Sequence, residues 1–526
     1  MKILVSDSIS ELGIAKLQEK AQVDVKTNLT VEELVTIIPE YDALIVRSAT
    51  KVTRPIIAAG KSLKVIGRAG VGVDNIDVDA ATEHGIIVIN APEGNTISAA
   101  EHTIAMMTSL ARNIPAASAS LKAGEWKRNN FLGVELYKKT LGVIGIGRIG
   151  SEVIKRAKVM GMHILAYDPY ISVENAEKLG ITLTSLEEIY RKADFITIHT
   201  PKTKTTHHMI GAAEIAMMKD GVRIINCARG GLLEETALCE GLSSGKIAGA
   251  ALDVFEEEPA VCNPICEFPN VIVTPHLGAS TAEAQVNVAV QVAEQVISIL
   301  MGEPPVTPVN VPVIPPETLA DVKPFVPLME TLGSFFTQVY GGQAEAIDIY
   351  YNGNIANFPV APLTTSFLIG FLSTILEDTV NYVNAPVIAK QRGIKVREVM
   401  STTVENFTSL ITVAIRRSDG GIQTIAGTIF NNNDIRIVQI DQYRIEVIPS
   451  RYMLVTNHMD VPGVVGKCGV ILGEENINIA GMQVGRQSIG GEAVMVLQVD
   501  SPVADKTLDK LLSLEGMFSI KFVQLT

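Results

Sequence analysis

The sequence predicts an α/β fold with two Rossmann-like or flavodoxin-like lobes, the second inserted into the first, followed by an α+β domain and a ferredoxin-like domain. Through residues 2–302, short apolar runs alternate with segments of helical periodicity, which is typical of buried parallel strands and their crossover helices. A proline-rich stretch at 303–318 ends this pattern. From about residue 451 the chain follows the order strand–helix–strand–strand–helix–strand, which is typical of a ferredoxin-like βαββαβ unit.

The first lobe is predicted from short apolar runs separated by helical segments. Most of these runs are continuous, as expected for strands that are buried on both faces of a parallel sheet. The predicted strands occupy residues 2–6, 23–27, 43–48, 64–70 and 86–92. A long amphipathic helix over 98–124 is expected to follow them.

A second series of apolar runs begins after this helix. Its predicted strands occupy residues 140–147, 163–168, 195–201, 222–230, 248–255 and 271–278. A second long helix over 282–302 has valine and isoleucine at helical spacing. Because the two long helices flank the second series, we expect the later one to return the chain to the first lobe. The first domain then comprises 1–98 and 281–306, and 99–280 is inserted into it.

The C-terminal half is expected to begin after a linker. The proline density of 307–318 excludes a helix and a central strand, so this segment is expected to be that linker. Residues 319–448 mix helices with alternating β-rich runs, which indicates a separate α+β domain. Residues 451–526 are expected to form the ferredoxin-like domain.

Charge and cysteine content limit the classes of function. The formal net charge of −13 disfavours nucleic acid as the main partner, because phosphate backbones attract basic faces. The sequence contains no apolar stretch of the length that a membrane span requires, and its N-terminus does not resemble a signal peptide. The odd cysteine count is typical of reduced thiols and a cytoplasmic protein. Cys262 and Cys266 lack further ligands nearby, so no metal site is expected.

A glycine-rich turn between a strand and a helix predicts a dinucleotide site. Its three glycines have G-x-G-x-x-G spacing and are Gly145, Gly147 and Gly150. At the start of the following helix, the N–H groups of Arg148 and Ile149 are expected to face a pyrophosphate. Asp168 ends the next strand, where a carboxylate can bind a ribose 2′-hydroxyl and repel a 2′-phosphate. The sequence therefore predicts NAD rather than NADP.

Polar side chains follow three strands of the second series, and ligands bind where parallel strands end. Arg229 follows one strand, the acidic run 256–258 follows another, and His276 follows a third. An imidazole can take the hydroxyl proton of a secondary alcohol, and a carboxylate behind it can orient the ring. A guanidinium can hold a substrate carboxylate. Beside a dinucleotide turn, this set predicts hydride transfer.

The motifs "GIGRIG", "YDP", "NCARGG", "LDVFEEEP" and "TPHLGAS" resemble those of the D-isomer-specific 2-hydroxyacid dehydrogenases. The resemblance implies that His276 is the acid/base, that Glu258 is its partner and that Arg229 anchors the substrate carboxylate. It selects Glu258 because the family pattern places the acid directly before the proline. The NAD contacts that it implies are Val71, Arg148, Ile149, Asp168, Thr200, Cys227, Ala228, Arg229, Asp253, His276, Leu277, Gly278 and Ala279.

The runs "VRSATKVT", "GRAGVGVDNID" and "NAPEGNTISAAEHT", with the long C-terminal half, resemble the long-form members of this family that act on D-3-phosphoglycerate. The resemblance implies NAD-dependent oxidation of D-3-phosphoglycerate to 3-phosphohydroxypyruvate, the first committed step of L-serine biosynthesis, by a homo-oligomer (dimer or tetramer). It assigns substrate to the first domain and NAD to the inserted one. The expected substrate contacts, with Arg47 and Arg68 near the phosphate, are Arg47, Ser48, Arg68, Gly70, Val71, Arg229 and His276. Residues 126–128 are candidates to reach a neighbouring subunit's cleft.

The last segment resembles an ACT domain, a small amino-acid-sensing module, through "NHMDVPGVVGKCGVILGEENINI". The resemblance implies that L-serine is an effector bound by His458, Asp460 and Asn478. An ACT fold that only assists assembly is the alternative. Residues 319–448 resemble the intervening domain of long-form enzymes.

Two alternatives for the whole protein remain open at this point. One is another D-2-hydroxyacid dehydrogenase, such as a glyoxylate or hydroxypyruvate reductase, and the other is a non-catalytic NAD-sensing co-repressor. Reduction of 2-oxoglutarate to 2-hydroxyglutarate is a further side activity that the sequence leaves open.

Overall fold

A computed structural model describes residues 1–376, 380–417, 420–431 and 434–525. Its first sheet contains β1 Lys2–Val5, β2 Gln22–Val25, β3 Ala43–Val46, β4 Val65–Arg68 and β5 Ile87–Ile89. All pairs are parallel, and the strand order is β2-β1-β3-β4-β5. The connecting helices are α1 Glu11–Gln18, α2 Val31–Ile37, α3 Arg54–Ala59 and α4 Val78–Glu83. Every residue of β3 is buried, as its continuous apolar run predicts.

The predicted helix over 98–124 is in fact two helices, α5 (Thr96–Ala111) and α6 (Ile114–Lys122). Asn113 between them has a φ of 53°, which is in the left-handed region, and Pro115 has no N–H to continue the hydrogen-bond ladder. The prediction of one helix is wrong because the apolar residues keep their helical spacing across Asn113, where the backbone does not continue the helix. All of α6 is described, and none of its residues is buried.

The second sheet has seven parallel strands, and these are β6 Thr140–Ile144, β7 His163–Tyr167, β8 Thr182–Leu183, β9 Phe195–Ile198, β10 Val222–Asn226, β11 Ile247–Leu252 and β12 Val271–Val273. The helices are α7 Arg148–Val159, α8 Val173–Leu179, α9 Leu186–Lys192, α10 Ala212–Met217 and α11 Glu235–Ser243. The strand order is β12-β11-β10-β9-β6-β7-β8. From β6 the strands are added on one side, through β7 to β8, and then on the other side, from β9 to β12. Open α/β sheets bind ligands at such a switch point, which here lies between β6 and β9. The short β8 is an addition to the predicted strands.

Helix α12 (Ala282–Leu300) leaves the second sheet and packs against α1 and β4 of the first sheet. Val292 and Val296 on this helix are fully buried, and a Cβ at Gly67 in β4 would lie 2.6 Å from a Val292 methyl. The first lobe is therefore completed by chain that follows the second lobe. This is the inserted arrangement that the sequence predicts.

The proline-rich segment is fastened to the first sheet, whereas the sequence predicts only a linker. The backbone N–H of Val309 donates to the Val88 carbonyl at 2.7 Å, and the N–H of Val88 donates to the Asn310 side chain at 2.8 Å. The Thr307 hydroxyl donates to the Asn90 carbonyl at 2.7 Å. Proline is compatible with this position because the segment lies at the edge of the sheet, outside β5.

The next region is an antiparallel-rich sheet covered by helices. Its helices are α13 Leu319–Val322, α14 Phe325–Tyr340, α15 Ala361–Ser373 and α16 Ala385–Gln391. Its strands are β13 Ala346–Gly353, β14 Lys395–Ser401, β15 Ser409–Arg416, β16 Ile422–Phe430, β17 Asp434–Ile440 and β18 Tyr443–Val447. The order is β14-β13-β15-β16-β17-β18, and only the β13–β14 pair is parallel.

The C-terminal unit has the predicted βαββαβ order. Its elements are β19 Tyr452–Met459, α17 Val464–Glu474, β20 Ile479–Arg486, β21 Glu492–Val499, α18 Asp505–Leu512 and β22 Met517–Gln524. The antiparallel sheet has the order β20-β21-β19-β22. Met453, Val496 and Val523 from this sheet belong to the same apolar cluster as Phe336 and Phe367, so the last two units share a core. Within the described residues, no helix combines the length and apolarity needed to cross a membrane.

Candidate active site

A cleft of about 810 Å³ lies between the carboxyl ends of the two parallel sheets. This volume is in the range of small-molecule and cofactor sites. The predicted site residues that line the cleft are Arg47, Ser48, Arg68, Gly70, Val71, Gly147, Arg148, Ile149, Thr200, Cys227, Ala228, Arg229, Asp253, Glu258, His276, Gly278 and Ala279. Four predicted cofactor residues lie outside the lining, and these are Gly145, Gly150, Asp168 and Leu277.

His276 and Glu258 form a hydrogen-bonded pair in this cleft, with 2.9 Å between Nδ1 and Oε2. The N–H of Phe255 also donates to Glu258, at 3.2 Å to Oε1. Burial acts to raise the pKa of Glu258, but the imidazole hydrogen bond and charge outweigh it, so the pKa is lowered. The carboxylate is therefore ionised near neutrality and accepts from Nδ1. Nε2 of the ring is left to exchange a proton with a ligand.

Asp253 fixes the backbone on which His276 stands. Its carboxylate accepts the N–H groups of Leu277 at 2.7 Å and Gly278 at 2.8 Å, and the Thr274 hydroxyl at 2.5 Å. His102 lies 3.2 Å from the same carboxylate. His276 has a φ of 56°, which is unusual for a residue with a side chain. Asp253 therefore holds the strained turn at His276. Leu277 lies outside the cleft lining, and its backbone N–H contributes by binding Asp253.

Arg229 is held by its own turn at the end of β10. The Asn226 side chain receives the N–H of Ala228 and donates to the Arg229 carbonyl, at 3.0 and 2.9 Å. The guanidinium Nε lies 3.2 Å from an Asp74 carboxylate oxygen. A Cβ at Gly72 would lie 2.0 Å from Arg229 Nη2, so this glycine makes room for the guanidinium. Arg229 thus reaches across the cleft toward the first lobe.

The first lobe supplies two more guanidinium groups, from Arg47 and Arg68. Arg68 is partly buried, and its buried Nε has no hydrogen-bond partner among the described residues. Burial, followed by the charge of Arg229, lowers the pKa of Arg68 to about 10. Neighbouring cations without enough protein carboxylates around them indicate an anionic ligand.

Asp7 positions the turn that carries Arg47. Its carboxylate accepts the backbone N–H groups of Arg47 at 2.6 Å and Thr50 at 3.1 Å, and the Thr50 hydroxyl at 2.6 Å. Asp7 is 5% exposed. Sequence reasoning missed this residue, although its position directly after the apolar run of β1 is a strand-end signal like that of Arg229.

The glycine-rich turn opens α7 toward the cleft. A Cβ at Gly150 would lie 2.1 Å from the Gly145 carbonyl, so turn and helix pack too closely for a side chain. Gly147 is the N-cap residue of α7, and a Cβ there would meet no described atom within 4 Å. Asp168 accepts the N–H of Ile146 at 2.8 Å, which ties the acidic residue to the turn. This close approach suits the backbone N–H groups of α7 to a pyrophosphate.

The predicted effector residues have separate partners. Burial, partly opposed by the Asp460 charge, lowers the pKa of His458. Asp460 pairs with Arg486 at 2.7 Å, and the Asn478 amide donates to Asp500 at 2.7 Å. The structure therefore brings His458 and Asp460 together but gives Asn478 its own neighbour.

Two further predictions concern metal and the neighbouring subunit. Across the described ranges, no group of three His, Cys, Asp or Glu side chains is arranged to hold a metal ion. Cys262 and Cys266 are both exposed and unpaired. Trp126 is 82% exposed, so the 126–128 segment does not contribute to the cleft of its own chain.

Family models match three parts of the chain. The NAD-binding domain of D-isomer-specific 2-hydroxyacid dehydrogenases matches residues 104–278. The intervening domain of D-3-phosphoglycerate dehydrogenase matches residues 321–441, and the ACT domain matches residues 452–516.

Curated relatives match over the full length. A D-3-phosphoglycerate dehydrogenase of Synechocystis is 49% identical, over 98% of this chain and 93% of its own. One of Methanocaldococcus jannaschii is 48% identical, over 100% of both chains. The chain belongs to the D-3-phosphoglycerate dehydrogenase family. Members of this family have an NAD-binding dehydrogenase domain, and the predicted family, oxidoreductase class and cofactor are thereby confirmed.

Solved structures match the dehydrogenase part that this family shares with other D-hydroxyacid enzymes. D-lactate dehydrogenase of Aquifex aeolicus, solved with NAD and lactic acid, is 30% identical with a TM-score of 0.53, over 58% of this chain and 96% of its own. A glyoxylate reductase is 32% identical with a TM-score of 0.55, over 59% of this chain and 98% of its own.

Proposed function

We propose that this chain oxidises D-3-phosphoglycerate to 3-phosphohydroxypyruvate with NAD, the first committed step of L-serine biosynthesis. The observation that carries the proposal is one cleft in which the His276–Glu258 pair faces Arg47, Arg68 and Arg229. An imidazole with a carboxylate behind it suits alcohol oxidation. Three guanidinium groups suit a substrate with both a carboxylate and a phosphate.

The residues around the glycine-rich turn fit NAD. The N-terminal N–H groups of α7 would hold the pyrophosphate, since Gly147 leaves that helix end open to the cleft. Asp168 would accept a hydrogen bond from the ribose 2′-hydroxyl. Its negative charge would repel the 2′-phosphate of NADP, so it favours NAD. Thr200, Cys227 and Ala228 line the same cleft and would contact the cofactor. When bound, NAD accepts the hydride from the carbon that carries the hydroxyl.

The chain's own residues then perform binding and proton transfer. Arg229 binds the substrate carboxylate in bidentate fashion, while Arg47 and Arg68 neutralise the phosphate. As the carbon–oxygen double bond forms, the hydroxyl proton moves to Nε2 of His276. Glu258 stabilises the resulting imidazolium through Nδ1. The same groups run the reduction when His276 starts protonated.

A steady-state assay of NADH tests the substrate assignment. We expect the value of kcat/KM for 3-phosphohydroxypyruvate to exceed those for hydroxypyruvate and glyoxylate, which lack the phosphate. D-3-phosphoglycerate should likewise be oxidised faster than D-glycerate. A preference for the unphosphorylated acids would instead make this chain a glyoxylate or hydroxypyruvate reductase. The same assay with 2-oxoglutarate decides whether the side activity exists.

L-Serine is the effector that we propose for the ACT domain. The matching family model and the proximity of Asp460 to His458 support the proposal. Addition of L-serine should lower the rate of NADH oxidation, and Asp460→Asn should weaken the inhibition without changing the uninhibited rate. An unchanged rate at millimolar L-serine would leave the ACT domain as an assembly module.

A homodimer or tetramer is also proposed. Support comes from the exposed surface of α6 and from Trp126 and Leu132, which are 82% and 91% exposed. Sedimentation measures the state directly, and a monomer at assay concentration would contradict it.

The domain division and the compartment complete the proposal. We propose a substrate domain over 1–98 and 281–306, an NAD domain over 99–280, an intervening domain over 319–448 and an ACT domain over 451–526. A cytoplasmic location is supported by five unpaired cysteines, since thiols stay reduced there.

A further inference from the structure

The loop that carries Glu258 contains no regular element between the end of β11 and a short 3₁₀ helix at Pro264–Glu267. The catalytic carboxylate therefore depends on hydrogen bonds for its position. One of them is the local bond from the N–H of Phe255 to Oε1 of Glu258, at 3.2 Å. Further ties come from His276, which bonds Glu258 directly, and from residues outside the loop, chiefly Glu235.

Glu235 and Glu256 bind each other's backbone. The N–H of Glu256 donates to Oε1 of Glu235 at 2.7 Å, and the N–H of Glu235 donates to Oε1 of Glu256 at 3.1 Å. The second oxygen of Glu235 receives the Asn263 amide at 2.8 Å. His208 lies 3.0 Å from Oε1 of Glu256. One carboxylate thus closes both ends of the loop, at 256 and 263, onto the first turn of α11.

We propose that Glu235 is a positioning residue for Glu258 and acts through Glu256 and Asn263. Glu235 does not line the cleft, so it acts on the reaction only through the loop. The arrangement requires a carboxylate, because its two oxygens face two donors. A glutamine would place an NH₂ group against one of those donors and free one end of the loop. The proposal rests on the proposed role of Glu258 as the partner of His276.

The test is the pH profile of kcat for oxidation, measured on Glu235→Gln and Glu257→Gln. Glu257 is exposed and lies in the same loop, so Glu257→Gln removes the same charge from the same region and serves as the matched control. We expect Glu235→Gln to lower kcat about tenfold, since small misplacements of catalytic groups are costly. A displaced Glu258 stabilises the imidazolium less, so the acid limb should move to lower pH by roughly half a unit. Glu257→Gln should leave both quantities unchanged.

A double variant tests whether the two glutamates act as one unit. Glu235→Gln with Glu256→Gln should lower kcat no further than Glu235→Gln alone, because both changes release the same loop. The dissociation constant of NADH and the melting temperature keep the outcome interpretable. If Glu235→Gln alters either of these but leaves the pH profile unmoved, its role is structural and the proposal is wrong. A wild-type enzyme that did not turn over D-3-phosphoglycerate would refute the proposed function instead.

Discussion

The two halves of the chain bury different polar groups. In the parallel half, Asp7 and Asp253 are buried carboxylates, and each accepts several backbone N–H groups at the end of a strand. In the described part of the antiparallel half, the buried polar side chains are hydroxyls, one asparagine and one histidine. Two of those hydroxyls, on Thr365 and Ser366, donate to a carbonyl of their own helix.

The buried polar groups of the parallel half hold the loops of the cleft, whereas the antiparallel half is held together by apolar packing. A buried charge is costly unless it is fully hydrogen-bonded, so it persists where a loop must be held in one conformation. The parallel half meets that cost at the turns that carry Arg47 and His276. The antiparallel half instead shares one apolar core between its two units. Substitutions of polar groups should therefore affect catalysis in the first half and stability or regulation in the second.

The largest expected effect is the loss of the proposed acid/base, His276. Replacing His276 with alanine should lower kcat on the order of 10²–10⁴-fold, because no other titratable group takes the hydroxyl proton. The dissociation constant of NADH, from fluorescence titration, should change little. In contrast, replacing His458 in the second half with alanine should leave kcat without L-serine unchanged. Full turnover by the His276 variant would remove the proposed mechanism.

Asp253→Asn should cost about 3 kcal/mol of unfolding free energy, because an amide cannot accept from all of the donors around Asp253. Burial acts to raise the pKa of Asp253, but bonds from His102, Thr274 and the Leu277 N–H lower it overall. A lowered folded pKa means that the stabilisation is complete above the unfolded value, near pH 4, and is lost as the pH falls further.

Urea unfolding at neutral pH and near pH 3 checks this prediction. The difference between wild type and Asp253→Asn should shrink at the lower pH. Asp509→Asn, an exposed aspartate in α18, should show little difference at either pH. Equal costs for the two variants would mean that the buried carboxylate is not special to the parallel half.

Most of the parallel half follows from its sequence, because buried strands need continuous apolar runs and each run has become a strand. The strand-end positions of Arg229, the 256–258 acids and His276 likewise follow from the ends of those runs. The choice of Glu258 does not follow from strand ends, because the three acids are consecutive and follow the same strand, and it came instead from the family resemblance. The structure places Glu258 against His276, as the resemblance implies, and places His208 beside Glu256, which the sequence did not predict.

What the sequence did not predict depends on backbone conformation and on long-range pairing. The break at Asn113 is local, and Pro115 two residues later is a signal that apolar periodicity conceals. The attachment of Thr307 and Asn310 to β5 joins residues more than 200 positions apart, and no local pattern encodes that register. The side chains of Glu235 and Glu256 each accept the other residue's backbone N–H. The sequence does not predict this pairing either, because no local pattern joins the two positions.

Arg68→Met should raise the KM for D-3-phosphoglycerate about 30-fold, which corresponds to the ~2 kcal/mol of a charged hydrogen bond. The value of kcat should change less, because the phosphate is bound equally in the ground and transition states. Lys51→Met is the matched control, since Lys51 is an exposed cation of the same lobe. Similar KM values for the two variants would show that general positive charge, rather than Arg68 in the cleft, selects the substrate.

The smallest expected effect concerns the tie between the two halves. The Thr307 hydroxyl donates to the Asn90 carbonyl at 2.7 Å and lies 2.8 Å from Oε1 of Gln295, which is itself buried. Thr307→Val keeps the shape and removes these bonds, so it should cost about 1 kcal/mol in urea unfolding. Thr307→Ser keeps the hydroxyl and should cost less.

Because the Asn90 side chain also donates to the carbonyl of Val71, which lines the cleft, this tie reaches the catalytic half through one residue. Limited proteolysis of the 303–318 segment should be faster in Thr307→Val, while kcat stays near the wild-type value. A clear fall in kcat would contradict the separation between the halves, since a linker contact would then control catalysis. An unchanged proteolysis rate would mean that the backbone bond from Val309 to Val88 holds the segment by itself.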